Sequence, residues 1–116
     1  MPFNATVNRV FLQGKISDEP SWQQNANKRM LHFTLLTTEE IRKGDNYYEH
    51  IELHRIKIPA DVVGDAPIQK GESAYIQGKM QTRIVFEYGV KMYRTEIVAS
   101  SIEVLKIKSH SLNSAG

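Results

Sequence analysis

The chain contains no cysteine, which excludes a disulfide framework, a thiolate nucleophile and a cysteine-ligated zinc site. Tryptophan occurs once and proline four times in 116 residues. No apolar run approaches the length that spans a bilayer as a helix. Met1-Pro2-Phe3-Asn4-Ala5-Thr6 lacks the charged and apolar regions of a secretory signal. The Asn4-Ala5-Thr6 sequon therefore reads as chance, and a cytoplasmic location without membrane attachment is expected. There is no Gly-x-Ser-x-Gly elbow and no glycine-rich phosphate loop, so nucleophilic and nucleotide chemistry lack their parts and no enzymatic activity is expected. Excess charge is scarce as well, with a formal net charge of only +2.

Hydrophobic residues make up 41% of the chain, enough for one modest globular core at this length. The charges are unevenly distributed. Lys79, Arg83, Lys91, Arg94, Lys106 and Lys108 outnumber Glu87, Glu96 and Glu103 in the last third, whereas Glu39, Glu40, Asp45, Glu49 and Glu52 outnumber Arg42 and Lys43 in the middle. Such polarity fits an anionic ligand, and it equally fits an ordinary solvated charge mix.

The clearest pattern runs from Lys70-Gly71 onward. Ala74, Ile76, Met80 and Ile84 alternate with Ser73, Gln77, Lys79, Gln81 and Arg83, the period-2 signature of a strand with one face in a core. Gly78 interrupts the apolar face, where a bend or a close backbone approach is expected. Four more strands are predicted, over residues 7–16, 30–38, 47–58 and 92–107. Residues 17–29 read as a loop holding Trp22, and Lys43-Gly44-Asp45-Asn46 and Glu87-Tyr88-Gly89 read as hairpin turns. A parity shift between Ile97 and Ile102 predicts a bulge near Ala99-Ser100-Ser101. Between the third and fourth strands, residues 59–69 suit one or two helical turns opened by Pro59 and closed by Pro67. Five strands with one short helical insert at that point is the order of an all-β, Greek-key OB-fold barrel. It is expected over residues 7–107, between an extension (1–6) and a polar, disordered tail (108–116).

The first strand has apolar residues on both faces, Val7 and Phe11 on one and Val10 and Leu12 on the other. A small barrel buries only one face of such a strand. A second copy of the chain is the economical cover for the other, with Asn8 and Arg9 near the two-fold axis.

Short segments in fixed order add to this reading: Val7-Asn8-Arg9-Val10 with Gly14 and Pro20, Phe33-Thr34-Leu35 through Thr37-Thr38-Glu39, Glu52-Leu53-His54-Arg55-Ile56, Lys70-Gly71 through Tyr75-Ile76-Gln77-Gly78, Thr82-Arg83, and Tyr93-Arg94-Thr95-Glu96-Ile97-Val98. In these the chain resembles the bacterial and mitochondrial single-stranded-DNA-binding protein family, from about residue 7 to residue 105. The resemblance implies a homotetramer (or homodimer) of OB-folds that coats single-stranded DNA in replication, recombination or repair. It needs no cofactor or metal. It implies phosphate contacts at Arg9, Arg55, Lys70 and Arg83, and a subunit contact at His54. The alternative is an OB-fold protein-interaction module of a replication or primosome assembly, with replication proteins as partners and only weak nucleic-acid binding.

The stacking rings that accompany such cations in the family are largely replaced. Leu53 stands where a tryptophan is usual, Ile41 and Pro59 replace further rings, and Val85 or Phe86 follows the Thr-Arg pair. Leu53, Arg55, Lys57 and Pro59 share one face of the third strand, which keeps cations and offers no ring. Trp22 is either a base-stacking platform or a lid on the barrel. Tyr47, Tyr48 and Tyr88 at hairpin ends either stack on bases or pack across strands. Phe86 either contacts the single strand or packs in the core or hairpin, since it has the parity of a core position. His50, Glu52 and His54 share a strand face as a metal set would, but adjacent residues on one strand rarely converge on one ion, so no metal is expected. The family's acidic, phenylalanine-ended tip is not seen in 106–116, and enzyme recruitment through it is not expected.

Overall fold

A computed structural model of the chain describes residues 5–106. The tail expected over 108–116 and residues 1–4 of the expected extension lie outside that range. The elements run β1 (Val10–Ile16), β2 (Ser21–Asn25), β3 (Lys28–Lys43), β4 (Asn46–Pro59), α1 (Ala60–Val63), β5 (Ser73–Glu87) and β6 (Val90–Leu105). The sheet order β1-β5-β6-β4-β3-β2, with a further β1–β3 pairing, closes five strands into a barrel. The one helix among the described residues lies between β4 and β5. This is the OB-fold that the strand order predicts, and no helix among the described residues is long and apolar enough to cross a membrane.

The barrel is filled from alternate positions. Leu31, Phe33 and Leu35 of β3, Ile56 and Ile58 of β4, Ala74 and Ile76 of β5, and Ile97 and Ala99 of β6 form one buried cluster with Ile16 and Val63. The bulge falls where the parity shift predicts. Gln77 pairs with Ser101 and Gly78 with Ala99, leaving Ser100 as the extra residue, and its hydroxyl donates to the Gln77 carbonyl at 3.2 Å. Gly78 has the close approach expected of it, since a Cβ there would strike the Val98 carbonyl and the Ala99 Cα. The β5–β6 turn needs left-handed backbone at both Tyr88 (φ 52°) and Gly89 (φ 75°).

Four expectations change. The first strand begins at Val10 rather than Val7. The segment read as a loop around Trp22 is partly a strand, because β3 starts at Lys28 and pairs back along its whole length, Ser21 opposite His32 through Asn25 opposite Lys28. The insert makes a single helical turn that ends at Gly64 (φ 56°) rather than Pro67. The β3–β4 ladder continues to Lys43–Asn46, so it leaves the barrel as an arm exposed from Thr38 to Leu53.

Candidate nucleic-acid interface

Residues directly opposite in an antiparallel ladder share a face. On β3–β4 the pairs His32–Lys57, Thr34–Arg55 and Leu36–Leu53 point outward, because Phe33–Ile56 and Leu31–Ile58 point into the core. β6 runs parallel beside β4, with Lys57 next to Val98. β5 then continues the surface through Gln81–Glu96 and Arg83–Arg94. One outward face thus carries Arg55, Lys57, Arg83 and Arg94.

Glu96 lies on that polar face, yet it is only 4% exposed. Its Oε1 is 3.0 Å from Arg83 Nε and 3.5 Å from Lys57 Nζ. One carboxylate is therefore shared by two cations, which close over it and remain net positive. Their aliphatic stems explain how an acid on an outward face becomes buried. Arg94 is tied to Glu87 at 2.6 Å. Arg55 is exposed, and among the described residues no carboxylate lies within ion-pair distance of it. It is the cation on this face most available to a phosphate.

Other predicted site residues sit elsewhere. Arg9 precedes β1, with its guanidinium 5.8 Å from the centroid of the Phe11 ring. Lys70 is exposed in the turn ahead of β5, at the barrel end where Gly71 N–H donates to the Ile16 carbonyl. Tyr48 pairs with Ile41, on the opposite pleat face from Leu53, Arg55 and Lys57. Phe86 pairs with Lys91 on the face of Ile84 and Tyr93, opposite Arg83; Val85, paired with Met92, shares the Arg83 face instead. The structure therefore does not bring Tyr48 or Phe86 to the cationic face. Tyr88 is fully exposed at the tip of the β5–β6 arm. Trp22 pairs with Leu31 on the core-side parity, is 41% exposed and carries the Arg29 guanidinium 4.1 Å over its ring.

The acidic group of the middle segment extends along the β3–β4 arm. Glu40 faces Glu49 on the same side as Leu53, and Glu39 faces His50 on the other. His50 bonds Glu52 at 3.1 Å, while His54 turns instead to the Thr37 hydroxyl at 2.8 Å. A groove between β1 and this arm is lined by Phe11, Leu12, Thr37, Glu52 and His54. Among the described residues no strand pairs with the β1 edge facing β3 from Val10 to Gly14, because the two strands meet only at Lys15–Leu36 and Ile16–Leu35. Asn8 makes a two-point contact with the Met80 backbone, donating to its carbonyl at 2.8 Å and accepting its N–H at 3.0 Å.

Sequence reading passed over Ser21, Gln23, His32 and Glu96 as surface residues of note. The polar parity of β3 did mark His32 as outward-facing. Burial first, then the positive charge of Lys57, holds its imidazole below the ordinary 6.5; Glu96 pulls the other way and Arg83 adds a smaller depression. The unfolded chain therefore takes up this proton at higher pH than the folded one. The contribution is complete above about pH 6.5 and is lost as pH falls through the lower folded value. His32→Asn should melt with a smaller difference between about pH 7.5 and about pH 5.5 than the parent protein, measured by thermal denaturation.

A five-stranded OB barrel with cations along one outward face defines a class of small binding domain for extended anionic ligands. More particularly, a family model described as the single-strand binding protein family matches residues 7–105, and the chain belongs to that family. It is 30% identical over 111 residues to a single-stranded DNA-binding protein of Bacteroides thetaiotaomicron, covering 89% of this chain and 68% of that one. It is 32% identical over 108 residues to single-stranded DNA-binding protein 3 of Listeria innocua, covering 90% of this chain and 67% of that one. Among solved structures, the fold is similar to the Plasmodium falciparum SSB in complex with ssDNA, with a TM-score of 0.78 at 24% identity, over 90% of this chain and all of that one. It is also similar to the single-stranded DNA binding protein of Thermus aquaticus, with a TM-score of 0.74 at 21% identity, over 88% of this chain and 52% of that one.

Proposed function

We propose that this chain binds single-stranded DNA, without catalysis, through the outward face of β3, β4, β6 and β5, in replication, recombination or repair. The observation that carries the reading is the row of Arg55, Lys57 and Arg83, with Arg55 in no ion pair among the described residues and the other two sharing one buried carboxylate. Such a row can follow a phosphate backbone with little regard to base sequence. The relatives named above support the ligand class. Fluorescence titration with labelled oligothymidine and with a duplex of equal length tests it: the single strand should bind more tightly, and equal or weaker binding than the duplex would overturn the reading.

A second reading is favoured by the outward positions Leu53 and Val85, which lack rings. Without stacking, the barrel could act chiefly as a protein-interaction module of a replication assembly. That reading gains if the single strand binds no better than a generic basic surface binds any nucleic acid.

Self-association belongs to the same proposal. Phe11 is 55% exposed on a strand whose edge is open, beside the groove that holds His54. A second copy would cover that edge, with Val7 and Phe11 at the contact and Asn8 and His54 near it, and two such dimers would make a tetramer; Val10, expected at the contact, packs with Leu12 against the barrel core instead. Phe11→Lys should shift the protein to smaller species in light scattering across a dilution series. A parent protein that stays monomeric at micromolar concentration would overturn the assembly proposal and leave the fold untouched.

A further inference from the structure

A depression on the outward face lies between the β1–β2 connection and β6, next to Arg55. It has a volume of about 200 Å³. That is many times the space one water needs, and because the depression opens to solvent a ring-sized group can enter it. β2 supplies its wall. Ser21 lies opposite His32, and Gln23 lies opposite Met30 on the same face. Gln23, Ser21 and His32 line the depression with Asp18 and Arg55.

We infer that this depression is a subsite for a single nucleobase turned out of the bound strand, its edge hydrogen-bonded by Gln23, His32 and Ser21 while Arg55 holds the adjoining phosphate. The inference rests on the proposed single-strand binding and adds a base contact beside the row of cations, whereas the exposed ring of Tyr47 on the same face lies out along the arm, opposite Arg42. The chemistry of the lining separates a base from a phosphate. A glutamine amide offers two donors and an acceptor, a hydroxyl offers both, and a neutral imidazole offers one of each. A base edge presents the same mixture, whereas a phosphate presents acceptors alone. Asp18 adds a negative rim that repels an anion from the interior; its carboxylate accepts from the Thr34 N–H at 2.8 Å and from the Thr34 hydroxyl at 3.0 Å. Arg55, opposite Thr34 in the ladder, supplies a cation at the lip that has no ion pair among the described residues. The burial and the Lys57 charge that hold His32 neutral near pH 7 keep its acceptor nitrogen available.

The subsite predicts that removing these polar groups weakens binding to bases and not to backbone. The probes are oligothymidine and an abasic deoxyribose-phosphate oligomer of the same length, both titrated into the full chain at one low salt concentration. Gln23→Ala/His32→Ala should lose roughly tenfold on oligothymidine, the scale of one to two hydrogen bonds, and should match the parent protein on the abasic oligomer. Gln23 is exposed, so the single variant Gln23→Ala keeps the test valid if the double variant folds poorly; it should lose several-fold on oligothymidine alone. Equal losses on both probes would mean a phosphate contact and overturn the base subsite, and so would no loss on either. If the parent protein binds neither probe, both the subsite and the single-strand reading fall. If it binds both and the variants do not discriminate, the subsite alone falls.

Discussion

Replacing Glu96 with leucine is expected to destabilise the fold by about 3–5 kcal/mol, the scale of breaking a buried ion pair from one side. The two cations it holds are not equivalent. Arg83 is 46% exposed and can swing its guanidinium into water, whereas the Lys57 side chain is only 13% exposed. Lys57 is therefore the charge left without a counterion, and the loss should fall near the lower end of that range. Adding Lys57→Met should recover most of it, because apolar side chains of similar size often replace a buried pair at little cost. Urea denaturation of the single and double variants measures both. A single variant as stable as the parent protein would mean that Lys57 reaches water easily and that the carboxylate does not organise this face.

The second large effect is a gain. Leu53 is 60% exposed on the outward face, directly opposite Leu36 and one outward position along the strand from Arg55. A ring there would lie beside the phosphate path without displacing a core residue. Leu53→Trp should tighten oligothymidine binding by about 1–3 kcal/mol, the measured scale of one base–aromatic stack, or roughly fivefold to a hundredfold. The single native tryptophan, Trp22, is stacked under Arg29, so new fluorescence quenching on binding would report the engineered site. Unchanged affinity with a folded variant would move the path of the strand away from β4.

Much of this fold was legible because period-2 alternation marks sidedness. Ala74 and Ile76 are fully buried as their parity requires, and the parity shift on β6 placed a bulge near Ala99-Ser100-Ser101, where the ladder leaves Ser100 as the extra residue. Alternation does not tell which outward residues their neighbours cover. Glu96 has the parity of a solvated residue and is buried only because cations from β4 and β5 meet over it, a contact between strands far apart in sequence. Nor does alternation reveal where a strand outruns the barrel: Met80 and Ile84 keep the apolar parity but are 52% and 51% exposed along the β5–β6 arm. β2 was unreadable for a different reason. Ser-Trp-Gln-Gln-Asn has one apolar residue, and its pairing is imposed by β3 through the turn at Ala26-Asn27. The depression beside His32 exists only because of that strand. The ambiguity between Val85 and Phe86 was one of hairpin register, which the left-handed pair Tyr88-Gly89 fixes.

The salt dependence of oligothymidine binding tests the central claim most directly. For single strands the slope of log K against log salt is about −0.7 per phosphate neutralised, so contacts by Arg55, Lys57 and Arg83 with one further cation give a slope of about −2 to −3 for each chain. Arg55→Ala should make that slope shallower by about 0.7 and weaken binding on every base sequence alike. Folded protein at micromolar concentration that fails to bind at about 20 mM salt, or that binds with a slope near zero, would contradict the assignment of this face to the phosphate backbone.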